Sequence, residues 1–308
     1  MVKISKLEIL DEFGFSNDPF KQVSIKSKDH IKIGNIVNLA VKSRSMVAVI
    51  GERGMGKSHA VRSALGKLKN AKRVGPQSND IHKLLIGDIE QALIMDLSSE
   101  KPKRGREIRA RQLRRILGEA STRMDVVLVI EEAHHLHGMT LRSLKRLREM
   151  DWMGKSELFS VILVGQSDPM NKPGVSEVKL RADAVQMKGL SPEEIEVFVS
   201  RALKSSITTE AVTTIAKLPG CHNFEDLKAL LLRLMENALL SGRRQVLLDD
   251  VEVLFPTEQE RPAKQHGKSS TAGAEKVSLQ QDQTGKAGKS SLRDLLNQEE
   301  GLRQAAVG

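Results

Sequence analysis

Cysteine is almost absent from this sequence, and long apolar segments are missing. The 308 residues include one cysteine, Cys221, so neither an internal disulfide nor a cysteine-rich zinc site can form. The most apolar runs, such as residues 46–50, 126–130 and 161–164, have strand length, well below the roughly 20 residues that cross a bilayer. The N-terminal residues also lack the apolar region of a signal peptide. We therefore expect a soluble, cytoplasmic protein with no membrane partner.

Aromatic residues are scarce as well. They make up 3% of the chain, with no tyrosine and Trp152 as the single tryptophan. This disfavours a single-strand nucleic-acid binder that stacks bases on aromatic rings. By contrast, 49 Lys and Arg residues against 39 Asp and Glu residues leave a net charge of +10. Such a balance favours a polyanionic partner, and phosphate groups are then the expected contacts.

Short β-branched runs alternate with amphipathic stretches through the first two thirds of the chain, which is typical of βαβ units on a parallel sheet. The predicted strands are residues 46–50, 92–97, 126–130, 159–165 and 185–187. The predicted helices between them, in which apolar residues recur three or four apart, are residues 58–68, 107–120 and 141–150. The fold class is therefore α/β, with a five-stranded parallel sheet sandwiched by helices.

The pattern becomes purely helical at residue 191. Ser191-Pro192-Glu193-Glu194 is a capping box with proline at the first helical position. Composition turns to Gln, Ser, Gly, Lys and Ala beyond Pro256, which predicts disorder. Near the end of this tail, leucines recur on one helical face. This pattern fits either a helix that docks on a partner or a frayed terminal helix. The predicted parts are an N-terminal extension 1–30, an α/β domain 31–190, an α-helical domain 191–256, a tail 257–308 and, within it, the docking helix 291–304.

A glycine-rich motif directly follows the first predicted strand and directly precedes a predicted helix. It fits the pattern G-x-x-x-x-G-K-[ST], whose backbone N–H groups wrap phosphates at a helix N-terminus. Lys57 would neutralise terminal phosphate oxygens, and the Ser58 hydroxyl would bind Mg²⁺. ATP and Mg²⁺ are therefore the predicted cofactors. The predicted nucleotide-binding residues are Gly51, Glu52, Arg53, Gly54, Met55, Gly56, Lys57, Ser58 and His59.

Two carboxylates, Glu131 and Glu132, follow the apolar run 126–130. Because ligands bind at the carboxyl edge of parallel sheets, we expect both acids to face the same nucleotide. Glu131 is the expected metal ligand. The first acid after the strand that accompanies a phosphate loop is normally Asp, and the additional methylene of Glu predicts a lower affinity for Mg²⁺. Glu132 is placed to polarise the attacking water as a general base.

Polar residues also follow the next apolar run, 159–165. Gln166 is a candidate to hydrogen-bond the γ-phosphate or the attacking water, although it fits an ordinary turn as well. Three histidines crowd after the two acids, at His134, His135 and His137. We expect these histidines to line the nucleotide site rather than to bind zinc.

A basic stretch precedes the run 126–130, and only Glu107 interrupts it between residues 101 and 115. A solvated helix face is one explanation. Lys and Arg without aromatic neighbours also suit the phosphate backbone of duplex DNA, which gives binding without base readout and a steep salt dependence. The predicted DNA-binding residues, one of them from a second basic set at 142–148, are Lys101, Lys103, Arg104, Arg106, Arg109 and Arg146.

The order of these motifs resembles that of the AAA+ ATPases, in which a helical lid follows the α/β domain. Within that superfamily it resembles most the transposition ATPases of the phage Mu B, TnsC and TniB type and their ExeA-type relatives. The resemblance covers about residues 11–255 and rests on GFSNDPF at 14–20, EEAHHL at 131–136, LVGQ at 163–166 and the basic stretch.

This resemblance implies an ATP site that an arginine of the neighbouring subunit completes. Arg181 occupies the expected place, with Arg53 as a rival. AAA+ lids often carry an arginine three residues after a glycine, whereas Asn223 stands in that position after Gly220. Together with Glu131, this departure implies slow hydrolysis that DNA or oligomerisation stimulates.

The implied function is an AAA+ ATPase of a bacterial or phage-infected cytosol that binds duplex DNA without sequence preference when it carries ATP. It would oligomerise on the DNA as a helical filament and deliver this target DNA to a transposase, which the C-terminal tail contacts. Two alternatives stay open: a nucleotide switch such as a helicase loader or adaptor, and an ExeA-type secretion ATPase. The latter would require a membrane segment and a wall-binding domain after the lid.

Overall fold

The computed structural model describes residues 4–77 and 80–255. They divide into two compact units. The sheet unit comprises residues 24–194 and 222–225, and the helical unit comprises the described residues of 1–23, 195–221 and 226–255. The predicted tail 257–308, with its docking helix 291–304, lies outside the described residues.

The sheet unit contains a five-stranded sheet, as the sequence predicts. Its strands are β1 Met46–Ile50, β2 Ala71–Val74, β3 Asp125–Ile130, β4 Ser160–Gly165 and β5 Ala182–Gln186. All pairings are parallel, and the strand order is β2-β3-β4-β1-β5. The predicted α/β fold class is therefore confirmed.

The helices alternate with these strands and then follow one another. They are α1 Lys6–Glu12, α2 Pro19–Gln22, α3 Lys28–Lys42, α4 Lys57–Gly66, α5 Ile86–Leu97, α6 Arg106–Arg123, α7 Gly138–Arg148, α8 Ser176–Lys179, α9 Pro192–Leu203, α10 Thr209–Lys217, α11 Phe224–Leu240 and α12 Leu248–Leu254. Short 3₁₀ helices cover Ile81–Lys83, Ala133–His135, Pro169–Asn171 and Lys204–Ser206. No helix of the described residues combines the length and the apolarity needed to cross a membrane.

Helices cover both faces of the sheet because its central strands are apolar on both sides. In β3, Val127 and Val129 pack against α3 and α4, whereas Leu128 and Ile130 pack against α5, α6 and α7. Successive side chains of a strand point to opposite faces, so a continuously apolar run requires cover on each side. This burial leaves the ends of the strands as the accessible part of the sheet.

One predicted strand is wrong. Residues 92–97 form the second half of α5, in which Leu93 and Ile94 are buried and Met95 is exposed. A short apolar run does not distinguish a strand from a buried helix. The strand that takes its place in the sheet is β2, whose Lys72 and Arg73 are exposed, so that the edge strand carries no continuous apolar signal.

The predicted helical region begins with the expected capping box. Ser191 N donates to Glu194 Oε2 at 3.0 Å, and Glu194 N donates to Ser191 Oγ at 3.4 Å.

In the helical unit, Cys221 is fully buried, and burial raises the pKa of its thiol to about 12. The thiolate form that reacts with oxidants is therefore suppressed. The predicted boundaries of the domains stay predictions.

Gly118 provides a test of packing in the sheet unit. A methyl group on this α6 glycine would lie 2.1 Å from Cγ of Trp152, so Gly118→Ala must displace the indole ring. We expect a loss of about 1–3 kcal/mol of unfolding free energy, measured by urea denaturation. Because Trp152 is the only tryptophan, the emission spectrum of the folded variant should also shift.

Gly66 is the matched control, since it ends α4 and has nothing within 4 Å of an added Cβ. Gly66→Ala should leave the emission spectrum unchanged and alter stability by no more than about 0.5 kcal/mol. Equal stability of the two variants would contradict the packing described for Trp152.

Candidate nucleotide-binding site

Three neighbouring parallel strands end at one edge of the sheet, and each is followed by predicted site residues. The register pairs Ile50 of β1 with Gly165 of β4, and Ile130 of β3 with Leu163 of β4. The glycine-rich loop 51–56, the two acids after β3 and Gln166 after β4 therefore emerge side by side. This carboxyl edge is where open α/β sheets bind ligands.

The loop between β1 and α4 has the backbone of a phosphate cradle. Gly54 and Gly56 have φ values of 86° and 85°, a region that side chains with a Cβ avoid. Gly56 is the N-cap of α4 and makes no side-chain capping bond, so the first amides of the helix stay available to an anion. Residues 51–56 thus fit a phosphate group.

The side chain of Lys57 folds back onto this loop and bonds its backbone. Its Nζ donates to the carbonyl oxygens of Gly51 at 2.8 Å and Glu52 at 2.7 Å, and the residue is 7% exposed. Burial lowers the pKa of its ammonium group, while the carboxylates of Glu132 and Glu131 oppose that shift. The cation is therefore held at the cradle, where phosphate oxygens can replace the carbonyl contacts.

The predicted meeting of the two motifs is observed. Ser58 Oγ donates to Glu131 Oε2 at 2.7 Å, which joins the start of α4 to the residue after β3. A hydroxyl and a carboxylate are oxygen ligands of the kind that Mg²⁺ prefers. The longer side chain of Glu131 reaches the hydroxyl directly, so these two residues fit a Mg²⁺ ion beside the phosphates.

Arg73 is a site residue that sequence reasoning missed. Its Nη2 lies 3.5 Å from Glu131 Oε1, and both side chains are partly exposed. Arg73 comes from β2, the strand that was not predicted, and β2 pairs directly with β3. Only the sheet order reveals this neighbour, since 58 positions separate the two residues along the chain.

Glu132 turns the chain away from β3. Its φ of 50° is left-handed, and it precedes the 3₁₀ helix Ala133–His135. Its side chain is 54% exposed, and Oε2 lies 3.6 Å from Nδ1 of His134. The carboxylate can therefore reach water at the strand edge, as a general base must.

Gln166 and His134 are linked across the ends of β4 and β3. The backbone N–H of Gln166 donates to His134 Nδ1 at 3.3 Å, and Gln166 is exposed. Burial lowers the pKa of His134, and His135 contributes in the same direction, which keeps the imidazole neutral and able to accept a hydrogen bond.

Two other predicted residues make contacts of their own. His137 caps α7 by accepting from Met139 N at 3.2 Å, and exposed His59 contacts the ring of His30.

Asn223, the residue that the resemblance aligns with the lid arginine, contacts the glycine-rich loop. It is 4% exposed, its Nδ2 donates to the carbonyl oxygen of Arg53, and its Oδ1 accepts from Glu225 N at 2.9 Å. Arg53 itself lies 3.7 Å from Glu225. The side chain of Asn223 therefore holds the loop through contacts to its backbone and brings no positive charge to it.

Arg181 lies at the amino ends of the strands, whereas the glycine-rich loop lies at their carboxyl ends. It directly precedes β5, whose first residue, Ala182, pairs with Met46 at the start of β1. Its Nη1 is 3.5 Å from Glu149, and its side chain is 58% exposed. Arg181 is thus separated from the glycine-rich loop of its own chain by the length of β1, and its role at a neighbouring subunit stays a prediction.

The basic stretch separates into paired and unpaired cations. Arg109 is 11% exposed and pairs with Glu90 at 2.8 Å, so it holds the segment in place. Arg111 pairs with Glu107 at 2.9 Å, while Arg114 and Arg115 pair with Asp151 and Glu100. In the two basic sets, the exposed cations that have no ion-pair partner within the described part of the chain are Lys101, Lys103, Arg104, Arg106 and Arg146.

Residues from the two basic sets meet in space. Arg106 of α6 and Arg146 of α7 line one cavity of 720 Å³, together with residues of α5. The cavity is also lined by acids, among them Asp88 and Glu107, so its lining carries charges of both signs. The five unpaired cations of the two basic sets are called the basic rim below, and two of them, Arg106 and Arg146, line this cavity.

Comparison with known proteins agrees with this geometry. The family model described as an AAA domain matches residues 40–171, which contain the glycine-rich loop and both acids. No curated protein matches the chain. The strand order and this match first define a P-loop α/β fold. More narrowly, the fold is that of the AAA+ ATPases.

Solved structures show the same fold at low sequence identity. Cdc6p from Pyrobaculum aerophilum has a TM-score of 0.55 and 16% identity, over 79% of this chain and 69% of its own. Drosophila ORC bound to DNA has a TM-score of 0.56 and 14% identity, over 81% and 65%. ORC1 from Aeropyrum pernix in complex with DNA has a TM-score of 0.50 and 15% identity, over 75% and 64%. The chain thus spans about two thirds of the length of these structures.

The contact between Arg73 and Glu131 can be tested by substitution. Arg73→Met removes a cation that competes with Mg²⁺ for Glu131, so the Mg²⁺ concentration for half-maximal ATP binding should fall about two- to fivefold, as expected for a partly exposed charge pair. Titration of Mg²⁺ against a fluorescent ATP analogue measures this concentration.

Lys72→Met is the control, because it removes a positive charge from the adjacent position of β2, whose side chain points to the other face. The proposed competition predicts no shift for this variant. Equal shifts in both variants would indicate a general charge effect and contradict a specific Arg73–Glu131 contact.

Proposed function

We propose that this protein is an ATPase whose nucleotide lies between the glycine-rich loop and the two acids after β3. The observation that carries this proposal is the 2.7 Å hydrogen bond between Ser58 and Glu131. Residues 51–59 would surround the nucleotide, Lys57 would contact the terminal phosphates, and Ser58 and Glu131 would hold Mg²⁺. The bound Mg²⁺ would supply charge stabilisation to the phosphates.

Hydrolysis would depend on a small set of side chains. Glu132 would accept a proton from the attacking water, Gln166 would contact the γ-phosphate or that water, and Arg181 would complete the site of a neighbouring subunit. Turnover would be slow, because Asn223 contributes no cation and Glu131 is shared with Arg73 at 3.5 Å. Assembly of subunits, which supplies Arg181, would raise the rate.

The second part of the proposal is binding of duplex DNA through its phosphates. Support comes from the basic rim, whose five side chains are exposed and have no ion-pair partner in the described part of the chain. Unpaired Lys and Arg release counterions from the duplex at little cost, since no internal ion pair must break. Two of the similar structures, Drosophila ORC and A. pernix ORC1, contain DNA.

The third part of the proposal is the biological role of DNA binding. We infer that ATP-loaded subunits assemble as a filament on DNA and present it as the target of a transposase, which the tail 257–308 would contact. The support is the resemblance of GFSNDPF, EEAHHL and LVGQ to the transposition ATPases, and the position of Arg181 away from its own nucleotide. Hydrolysis would then release the subunits from the DNA.

A nucleotide switch, such as a helicase loader, is the second candidate function. It is favoured by Asn223, because a lid without its cation senses the γ-phosphate less directly, and by the shared Glu131. A phosphate-release assay with and without duplex DNA separates the two. Stimulation by DNA supports the ATPase, and binding of ATP without turnover supports the switch.

Replacement of the general base tests the catalytic assignment. Glu132→Gln removes the proton acceptor and keeps the size of the side chain, so phosphate release should fall at least about 100-fold. ATP binding and ATP-dependent retention on DNA should persist. Glu210→Gln, an exposed substitution at the start of α10, is the control. Intact hydrolysis in Glu132→Gln would show that another group activates the water.

The basic rim is tested by its salt dependence. The triple variant Lys103→Ala, Arg104→Ala, Arg146→Ala should bind duplex DNA more weakly for every sequence. The logarithm of its association constant should depend less steeply on the logarithm of salt concentration. The magnitude of this slope should decrease by about 0.9 for each DNA phosphate that the variant no longer neutralises. Fluorescence anisotropy with ATP present measures both quantities.

Lys32→Ala removes an exposed cation of α3 and serves as the control, for which we expect an unchanged slope. A triple variant with the wild-type slope would exclude the basic rim as the DNA-binding surface.

A further inference from the structure

A second group of metal-binding side chains lies beside the nucleotide site. Glu132, His134 and His135 each offer a ligand atom, and these atoms lie within 4.8 Å of one another. The set combines imidazole nitrogen with carboxylate oxygen, whereas Ser58 and Glu131 offer oxygen alone. Mg²⁺ prefers oxygen ligands, while imidazole suits Zn²⁺ and similar transition metals.

The backbone after β3 gathers these three side chains. The left-handed Glu132, with φ of 50°, turns the chain into the 3₁₀ helix Ala133–His135. Within this turn Glu132 Oε2 is already 3.6 Å from His134 Nδ1. Two ligands of a tetrahedral Zn²⁺ ion are separated by about 3.3 Å, given bond lengths near 2.0 Å. Small side-chain rotations therefore suffice to bring this pair around an ion.

Neighbouring rings restrict the movement of the histidines. The ring centroids of His134 and His135 are 3.9 Å apart, and the ring of His82 packs against His135 with a centroid separation of 4.1 Å. His82 comes from the 3₁₀ helix Ile81–Lys83, so a separate segment supports the cluster. Ordered rings lose less conformational freedom when they bind an ion.

His137 does not join the cluster. It belongs to the same HH-x-H segment, but its Nδ1 accepts from Met139 N at 3.2 Å and caps α7. This bond engages the nitrogen in the start of a helix. His137 therefore provides an internal control for any metal effect at the other two histidines.

We propose that Glu132, His134 and His135 bind a Zn²⁺ ion, with water as the fourth ligand, and that the bound ion inhibits ATP hydrolysis without preventing ATP binding. The inhibitory half rests on the proposed function, since it requires Glu132 to be the general base. Coordination to Zn²⁺ withdraws electron density from the carboxylate and makes it a much poorer proton acceptor for water. The glycine-rich loop, Lys57 and Ser58 take no part in the site, so the nucleotide still binds.

The same imidazole connects the ion to Gln166. The Gln166 N–H donates to His134 Nδ1 at 3.3 Å, and coordination through this nitrogen would break that bond. The polar residue after β4 would then lose its anchor while Glu132 is engaged. Both effects act on the attacking water and leave the phosphate cradle unaltered.

Spectroscopy tests the site without any nucleotide. Co²⁺ replaces Zn²⁺ in such sites and absorbs visible light strongly when its coordination is tetrahedral. We expect the untagged full-length chain to give this absorption with one equivalent of Co²⁺, and Zn²⁺ to abolish it. Co²⁺ affinity should fall at least about tenfold in His134→Ala and in His135→Ala, and remain unchanged in His137→Ala. No tetrahedral absorption, or absorption that survives both His134→Ala and His135→Ala, overturns the site.

Enzymology tests the inhibition. Phosphate release and binding of a fluorescent ATP analogue are measured at saturating Mg²⁺ and ATP, with free Zn²⁺ set by a metal buffer. Zn²⁺ should reduce phosphate release and leave ATP binding unchanged. The Zn²⁺ concentration that halves the zinc-free rate of each protein should rise about tenfold in His135→Ala, whereas His137→Ala should respond like the wild type.

The outcomes separate this inference from the proposed function. Tetrahedral Co²⁺ binding without any inhibition by Zn²⁺ overturns the inhibitory role. Inhibition that is equal in His135→Ala and the wild type assigns the zinc effect to another site and overturns it too. If the protein hydrolyses no ATP even without Zn²⁺, the proposed ATPase fails, and the Co²⁺ titration alone then decides whether the metal site exists.

Discussion

The hydrogen-bond register among β3, β4 and β1 is the constraint on which the site depends. Because these three strands are adjacent and parallel, their carboxyl ends meet at one edge. The glycine-rich loop, the two acids and Gln166 are brought together there although they are distant along the chain. Apolar side chains on both faces of β3 allow helices to cover the sheet on each side. The strand ends are then the surface at which chemistry can occur.

Charge around Glu131 and Glu132 is unusually crowded. Lys57 lies buried in the loop, Arg73 approaches Glu131 from the edge strand, and the ring of His134 lies beside Glu132. Each acid therefore has a neighbour that competes with its proposed role. Such competition favours a site whose activity depends on what is bound nearby, and the proposed stimulation of hydrolysis by assembly on DNA requires such a site.

The local motifs were predictable because each is short and contiguous. The phosphate loop is recognisable from its glycine spacing and the adjacent strand, and the capping box at Ser191 is formed as the sequence indicates. The strand predicted at 92–97 is wrong because burial alone gives helices and strands the same short apolar run. Edge strand β2 was missed because its exposed Lys72 and Arg73 lack any apolar pattern.

The sequence by itself determined four of the five strands, the phosphate loop and the pair of acids, because backbone preferences and side-chain chemistry act over a few neighbouring residues. Tertiary structure alone decided which charges meet. It paired Arg109 with Glu90 and Arg115 with Glu100, left Arg106 and Arg146 beside one cavity, and placed Arg73 at Glu131 and His82 on His135. Ion pairs and ring contacts depend on distances of a few ångströms, which only the packing of strands and helices sets.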